Sequence, residues 1–248
     1  KNIELLLEGA KSVLSVGYNY YSETSADNKN LKIARFSQGQ DYHKVIKKKL
    51  KNIGRWIDKE IPNCRWRICV DSSPLLEKAW AEESGLGWIG KNSTLINKTY
   101  GSWLLLGFMI LDIKLNPDKP YKALCGQCEK CIEKCPTEAI TEPFVINSKL
   151  CIAYHTIENR NKTIPSNIKT KLNGWIAGCD ICQNVCPWNK SVPTNNDEEV
   201  QPKEWMKNLT SESLNWDDDE WSDKLKGTTL KRIKPWMWRR NIKATLEN

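Results

Sequence analysis

The stretch CGQCEKCIEKCP, residues 125–136, places four thiols within eleven residues and ends in a proline. A second run, CDICQNVCP at residues 179–187, follows it, and Cys151 lies between the two. Eight thiolates at these spacings are the ligand count of two [4Fe–4S] clusters, because three thiolates two residues apart can surround one cube if the backbone coils around it. The pattern predicts a protein that transfers single electrons.

The ligands of the two clusters are predicted to cross between the runs. In bacterial two-cluster ferredoxins, the cysteine before the proline ligates the other cluster. By that rule, one cluster is bound by Cys125, Cys128, Cys131 and Cys186, and the second by Cys135, Cys151, Cys179 and Cys182.

Structural zinc and disulfide bonds are the two alternatives to iron–sulfur ligation. Structural zinc also uses Cys-x-x-Cys pairs, but zinc sites usually place a longer spacer between two pairs. A secreted disulfide scaffold fits poorly with such close spacing and with the lack of a signal peptide. Iron–sulfur ligation is therefore favoured, and it implies a reducing compartment, the cytoplasm. Cys64 and Cys69 lie outside both runs and are expected to be buried thiols.

The composition is that of a globular protein with an excess of basic residues. Of the 248 residues, 40% are hydrophobic and 27% are charged, and the longest apolar run, residues 103–111, is too short to cross a bilayer. The formal net charge of +8 favours a polyanionic partner, although clusters and thiolates would offset part of it. Charge alone leaves nucleic-acid binding open, because lysine-rich helices usually present solvated faces.

The first 120 residues alternate helix and strand patterns. Helices are predicted at 3–9, 41–60 and 75–84, the last with Pro74 in its first turn, and strands at 12–21, 66–70 and 102–111. A polar loop is predicted at 22–30, a linker at 116–121, and short helices near Ser211 and after Gly227. The order predicts an α+β fold with a body at 1–120, a two-cluster ferredoxin-like module at 121–190 and a helical C-terminal segment at 191–248 packing on the body. We expect an N-terminal segment to be missing from this body.

Several further segments resemble one enzyme family, the epoxyqueuosine reductases. They are ARFSQGQDYH (34–43), VDSSPLLE (70–77), GLGWIGKNS (85–93), GSW (101–103), the doubled cysteine run ending in CPWN (186–189), and GTTLKR (227–232). The resemblance covers nearly the whole chain, and these motifs in this order are far more specific than any one of them. It implies a nitroreductase-like cobalamin-binding α/β body with an inserted bacterial two-[4Fe–4S] module and a short helical tail.

The same resemblance implies a function. Epoxyqueuosine at the wobble position of tRNA would be reduced to queuosine, with electrons passing through both clusters to base-off cobalamin. An external low-potential donor, such as a flavodoxin or ferredoxin system, would supply them. We expect a cytoplasmic monomer that makes no membrane contact.

Asp71 is the expected proton donor, since the family's donor falls in this Val-Asp-x-x-Pro context. Burial beside the corrin would have to raise its pKa for it to hold a proton near neutral pH. The alternative is a helix N-cap, which is common for aspartate before a helix. Both histidines, His43 and His155, are expected to be structural.

The remaining site residues also follow from the resemblance. Cobalamin contacts are expected at Ala34, Asp71, Leu95, Leu106, Ile181 and Cys182, many through backbone atoms. Contacts with tRNA are expected in the loop after Cys151, at Asn159, Arg160 and Lys162, where basic groups would meet phosphates. Lys231, Arg232, Arg239 and Arg240 are expected to extend that surface.

The sequence is also compatible with two other functions. One is a different corrinoid iron–sulfur reductase, similar to the reductive dehalogenases. The other is a non-catalytic electron carrier of the ferredoxin type, which would bind iron and sulfide but no corrin.

Overall fold

The computed structural model describes residues 2–23 and 31–247. Most of the predicted polar loop at 22–30 lies outside these residues. Within them, the strands are, in chain order, β1 (Ser12–Asn19), β2 (Lys32–Ile33), β3 (Trp66–Cys69), β4 (Trp88–Ile89), β5 (Leu95–Ile96), β6 (Leu104–Leu111), β7 (Ile140–Glu142), β8 (Val145–Ile146) and β9 (Trp175–Ala177).

The α-helices of the described residues are mostly short. They are α1 (Tyr42–Glu60), α2 (Glu77–Glu83), α3 (Lys130–Glu133), α4 (Ser166–Lys169), α5 (Ile181–Asn184), α6 (Glu204–Lys207), α7 (Asp218–Lys224) and α8 (Pro235–Leu246). Single 3₁₀ turns occur at Ile3–Leu5, Arg35–Ser37, Ser148–Leu150, Pro187–Asn189, Ser211–Asn215 and Thr229–Arg232, and a π-helical turn at Tyr154–Glu158.

Most predicted elements of the body are confirmed, but two differ. The helix predicted at 3–9 is only the 3₁₀ turn Ile3–Leu5. Pro74 is not in the first turn of α2, because that helix begins at Glu77 with Leu76 as its N-cap. The residues between Asp71 and α2 instead form bends, so the chain leaves β3 through a loop rather than directly into a helix.

A three-stranded antiparallel sheet, in the order β1-β6-β3, forms the centre of the body. The central strand β6 reads as a continuous apolar run because helices cover both of its faces. Met109 and Leu111 pack in the core beneath α1, whereas Phe108 and Ile110 pack in the core beneath α2. Gly107 lets α1 approach closely, since an added Cβ there would lie 2.4 Å from Ile46.

A second core joins all three predicted parts of the chain. The short strands β2 and β9 pair in parallel, which places Leu31 and Ile33 beside Ile176 and Ala177. Helices α6, α7 and α8 add the rest of that core, including Met206, Trp221 and Trp238. The C-terminal segment therefore packs on the β2–β9 pair. The predicted domain boundaries stay a prediction.

Candidate active site

Four of the eight predicted ligands line one cavity. Cys125, Cys128, Cys131 and Cys186 surround a space of about 260 Å³ that is also bordered by Trp188. Within residues 2–23 and 31–247, no three Cys, His, Asp or Glu side chains are grouped closely enough to hold a single metal ion. The structure thus brings together, around one cavity, the set that the crossed ligand rule assigns to one cluster.

The other four cysteines are connected through Cys182, which interacts electrostatically with Cys179, Cys151 and Cys135. Burial raises the pKa of the Cys182 thiol to about 12, and the nearby Asp180, Cys151, Cys131 and Cys135 raise it further, so a thiol of the first group is close as well. Burial likewise raises the pKa of Cys179, with Cys182 and Cys151 among its charged neighbours. Because coordination to a cation favours the thiolate, buried sulfurs of this kind fit a metal cluster. The backbone N–H of Ala139 donates to Sγ of Cys135 at 3.2 Å, a contact suited to a charged sulfur.

The second cysteine group adjoins a cavity of about 270 Å³ in the body. Gln183, the residue after Cys182, lines it together with the predicted cobalamin contacts Leu95 and Leu106. Ser102 donates its hydroxyl to Oε1 of Gln183 at 2.9 Å, which fixes this side chain at the cavity wall. Its lining combines leucine and aromatic side chains with hydroxyl, amide and charged groups, among them Glu77 and Lys78.

Two other predicted cobalamin contacts lie elsewhere. Ala34 is buried and packs with Ile181 and Cys179, outside the set of residues that line the cavity. Gly178 allows the chain to pass this close to Ala34, because its φ is +75° and an added Cβ would lie 2.5 Å from Cβ of Ala34. Ala34 and Ile181 are therefore placed beside the second cysteine group rather than beside Leu95 and Leu106.

Asp71 lines an adjoining cavity of about 420 Å³, which shares Phe36 and Tyr42 with the cavity of Leu95. It follows β3 with a φ of +52°, an uncommon conformation for a residue other than glycine. Its side chain is 45% exposed, whereas the sequence predicted a buried aspartate. Its backbone N–H donates to Oε1 of Glu77, and it is not the N-cap of a helix, because Leu76 occupies that position in α2.

His43 and Asp41 form a chain of contacts with Asp71. Nε2 of His43 lies 3.1 Å from Oδ2 of Asp71, and Nδ1 lies 2.7 Å from Oδ1 of Asp41. Asp41 is the N-cap of α1 and accepts the backbone N–H of His43, so the start of this helix sets the position of the imidazole. The expectation that His43 is only structural missed this contact. The motif residues Asp41-Tyr42-His43 were visible, but their approach to Asp71 depends on the tertiary fold.

Two further ionisable groups surround Asp71. Burial raises the pKa of Tyr42, and the carboxylates of Asp71, Glu77 and Asp41 raise it further. Burial also raises the pKa of Glu77, which lines the cavity of Leu95. Two ionisable groups with raised pKa values therefore lie close to Asp71.

The predicted RNA-contact residues differ in exposure. Asn159 is buried, and its Nδ2 lies 3.0 Å from Nδ1 of His155. Arg160 is exposed but donates to the carbonyl oxygen of Arg232 at 3.1 Å. Lys162 is exposed at the end of the same segment. Arg232, which lines the cavity of Asp71, also pairs with Glu158 at 2.7 Å.

Comparison with known proteins identifies the family. Residues 1–72 match the family described as "Epoxyqueuosine reductase QueG, DUF1730", and residues 124–189 match the "4Fe-4S double cluster binding domain". The epoxyqueuosine reductase of Prochlorococcus marinus (strain NATL2A) is 54% identical over 244 residues, which are 98% of this chain and 78% of that protein. The chain belongs to the epoxyqueuosine reductase family. The predicted fold class and the iron–sulfur module are thereby confirmed.

Solved structures of this family superpose on nearly the whole chain. One is an epoxyqueuosine reductase with an epoxyqueuosine-modified tRNA-Tyr stem loop, at 30% identity and a TM-score of 0.87. Another, from Bacillus subtilis, has the catalytic loop of an aspartate swung out of the active site, at 28% identity and a TM-score of 0.86. Each match covers 98% of this chain and 66% of the solved chain, so this chain spans just under two thirds of their length. Within the residues described here, no helix is both long and apolar enough to span a membrane.

Proposed function

We propose that this chain reduces epoxyqueuosine to queuosine at the wobble position of tRNA, using two [4Fe–4S] clusters and base-off cobalamin. The observation that carries this proposal is that the second cysteine group and Asp71 lie at adjoining cavities, while the first cysteine group surrounds a cavity of its own. The second cysteine group meets the cavity of Leu95 at Gln183, and that cavity shares Phe36 and Tyr42 with the cavity of Asp71. Electrons from the clusters and a proton from Asp71 would therefore meet where the cavity of Leu95 adjoins the cavity of Asp71.

The cofactors would be held by the residues that the sequence predicts. One cluster would be bound by Cys125, Cys128, Cys131 and Cys186, and the other by Cys135, Cys151, Cys179 and Cys182. Leu95 and Leu106 would contact the corrin within their cavity, with Ile181 and Cys182 contributing from the cysteine loop and Ala34 from the end of β2. When bound, these cofactors supply the two electrons of the reduction, which originate from an external low-potential donor protein.

Asp71 and His43 would supply the proton to the epoxide oxygen. Their side chains lie within hydrogen-bonding distance, so a single proton can be held between Nε2 of His43 and Oδ2 of Asp71. Asp41 accepts from Nδ1 of the same ring and so fixes the orientation of the imidazole. Through its other nitrogen, His43 would pass a proton to Asp71, whose side chain is half-exposed.

The RNA substrate would enter over the cavity of Asp71. Arg160 and Lys162 lie in the segment that leaves this cavity, and Arg232 lies at its wall. Arg160 and Lys162 would contact phosphates. Asn159, which is buried, would support the position of the segment through its contact with His155.

The experiment is a reduction assay on a defined RNA. The chain is reconstituted without oxygen with iron, sulfide and cobalamin, reduced with a low-potential chemical reductant and incubated with an epoxyqueuosine-containing anticodon stem loop. Nucleoside mass spectrometry should show loss of the epoxide oxygen. Asp71→Asn should abolish the conversion while retaining iron and corrin, and the exposed Asp223→Asn should leave it unchanged. No conversion by the loaded wild-type chain, or full conversion by Asp71→Asn, would refute the corresponding assignment.

A further inference from the structure

The first cysteine group lies near the surface, on the side away from the reacting site. It consists of Cys125, Cys128, Cys131 and Cys186, and the first three of these thiols are partly exposed. Their cavity shares no lining residue with the cavity of Leu95, which the second group meets at Gln183. Electrons that reach the reacting site through the second group would therefore enter the chain at the first.

The lining of this outer cavity is basic. Among the described residues, it includes Lys91 and Lys130 and no carboxylate. Nζ of Lys91 lies 3.2 Å from Oε1 of Glu129, so the charge of Lys91 is balanced. Lys130 and Lys122 are exposed, and no carboxylate of the described residues lies within 4 Å of either ammonium group. Lys122 comes two residues before Leu124, which also lines the cavity.

This basic lining is a local feature of the module. Residues 121–150 carry equal numbers of lysines and glutamates. The glutamates at 133, 138 and 142 are exposed, but none of them lines the cavity. Unpaired positive charge therefore lies next to the first cysteine group, where it would attract an acidic partner.

Exposed apolar side chains border the same cavity. Leu124 is 38% exposed, and the β7–β8 hairpin exposes Phe144 at 50% and Val145 at 45%. The hairpin is fixed beside the cavity, because the backbone N–H of Phe144 donates to the carbonyl oxygen of Lys91 at 2.9 Å. Ser93 donates its hydroxyl to the carbonyl oxygen of Phe144 at 2.6 Å. Grouped apolar side chains with charged neighbours are typical of a protein-docking surface.

Phe144 also has a backbone conformation that phenylalanine disfavours. Its φ is +72°, in the left-handed region where glycine and asparagine are favoured. Because its ring is half-exposed, it gains only part of the stabilisation that a buried ring would give. The turn by itself would therefore favour glycine or asparagine, and the phenylalanine points to a contact outside the chain.

We infer that an acidic one-electron carrier protein docks over the first cysteine group, on a donor face formed by Lys122, Leu124, Lys130, Phe144 and Val145. The inference rests on the proposed function, and it gives the electron donor a charge and a binding place. In each docking event the carrier would be oxidised by one electron and the cluster of the first group reduced by one. No bond forms or breaks in this step, and two events supply the two electrons that reduce one epoxide.

The test follows electron transfer from a carrier in the absence of RNA. Chemically reduced flavodoxin is mixed with the cofactor-loaded chain, and flavin absorbance gives the second-order rate constant at several salt concentrations. Lys122→Ala/Lys130→Ala should lower this constant about fivefold at low salt and flatten its salt dependence, because salt screens steering by exposed charges. The matched control, Lys47→Ala/Lys51→Ala, removes two exposed lysines from α1 and should have a much smaller effect. Equal effects of the two double variants would overturn the inference.

Phe144→Asn separates docking from folding. It should lower the rate constant about fivefold and retain the salt dependence, because an apolar contact is lost without a change of charge. Urea unfolding should show no loss of stability, since asparagine tolerates this φ better than phenylalanine. A wild-type rate constant would exclude Phe144 from the donor face. A loss of stability would show that the ring supports the hairpin instead.

Reduction of the epoxyqueuosine stem loop with a chemical reductant should proceed at the wild-type rate in all these variants, because it bypasses the donor face. If the wild-type chain accepts electrons from flavodoxin but does not reduce the stem loop, the proposed function is contradicted and the donor face is retained. If it reduces the stem loop but accepts no electrons from flavodoxin, the donor face alone is overturned. Sedimentation provides a further test. A dimer that Phe144→Asn converts to a monomer, with an unchanged rate constant, would assign the face to a second copy of the chain and overturn the inference.

Discussion

Nε2 of His43 lies 3.1 Å from Oδ2 of Asp71, at the point where the first turn of α1 meets the end of β3. Asp41 holds the opposite nitrogen of the ring at 2.7 Å. The imidazole therefore lies between two carboxylates. Other charged or ionisable groups near Asp71 are Tyr42 and Glu77, and Arg232 also interacts with it. Under the proposed function, the contact with Nε2 would let His43 deliver a proton to the half-exposed Asp71.

Replacing His43 by glutamine should slow single-turnover reduction by about a hundredfold, the usual contribution of one positioned acid–base group. The reason is that Asp71 then loses the only ring nitrogen within hydrogen-bonding distance of its Oδ2 in the described residues. Single-turnover rates of variant and wild type, both loaded with cofactors and measured at one pH, would show the difference.

Asp41→Asn provides the matched variant. Asparagine caps a helix about as well as aspartate, so α1 should persist, while the carboxylate that contacts Nδ1 of His43 is lost. The single-turnover rate should fall by less than it does for His43→Gln. Wild-type rates in both variants would exclude His43 from the proton path.

How much the sequence could predict depends on the range of the interactions. The cysteine spacing is a local signal, and the crossed rule applied to it predicted the four thiols that line one cavity. The assignment of ligands to two clusters stays a prediction. The strand β6 was predicted because its apolar run is long. The pairing of β2 with β9 was not, because two residues such as Lys32 and Ile33 carry no recognisable period. The contact of His43 with Asp71 likewise depends on how α1 packs over the sheet.

The crossed ligand pattern predicts which cysteine replacements act on the same cluster. Cys125→Ser and Cys186→Ser should each remove about four iron atoms, and the double variant should lose no more. Cys125→Ser/Cys135→Ser should lose the iron of both clusters. Cys69→Ser, at a buried thiol outside both groups, serves as the control and should retain all the iron. If Cys125→Ser/Cys186→Ser lost all iron, the uncrossed pattern would be favoured.

Asp197 is expected to tie the C-terminal segment to the body in a pH-dependent way. Nζ of Lys49 lies 2.8 Å from its Oδ2, and Tyr18 donates its hydroxyl to the same carboxylate. Lys49 first, and then Tyr18, lower the pKa of Asp197 to about 2. Because this pKa lies below the unfolded value of about 3.9, the stabilisation is present above that pH and is lost as pH falls towards 2.

Asp197→Asn should therefore lower the free energy of unfolding by about 1 kcal/mol at pH 7, after allowance for solvent screening. The difference from wild type should shrink as pH is lowered from 4 towards 2. Urea unfolding at several pH values measures it. Glu204→Gln, which breaks the exposed pair with Lys207, should change stability by less than about 0.5 kcal/mol. A constant difference across this pH range would contradict the assignment.

Gly101 and Asn189 connect the body to the second cysteine run. Asn189 accepts the backbone N–H of Ser102 at 2.7 Å and donates to the carbonyl oxygen of Gln183 at 2.7 Å. Gly101 has a φ of +56°, and an added Cβ would lie 1.9 Å from Oδ1 of Asn189. Gly101→Ala should therefore cost about 3 kcal/mol through combined backbone strain and overpacking.

Gly227→Ala separates these two effects. Gly227 has a φ of +73°, but nothing lies within 4 Å of an added Cβ, so only backbone strain of about 1 kcal/mol is expected. Urea unfolding of both variants gives the comparison. Equal losses would show that the contact between Gly101 and Asn189 is not close enough to matter.

The most direct measurement is the iron, sulfide and cobalt content of the chain after anaerobic reconstitution with excess cobalamin and removal of unbound cofactor. Two [4Fe–4S] clusters and one corrin predict about eight iron, eight sulfide and one cobalt per chain, with visible absorption from both cofactors. Zinc in place of iron would contradict the cluster assignment. Iron and sulfide without retained cobalt would indicate an electron carrier and contradict the proposed reductase.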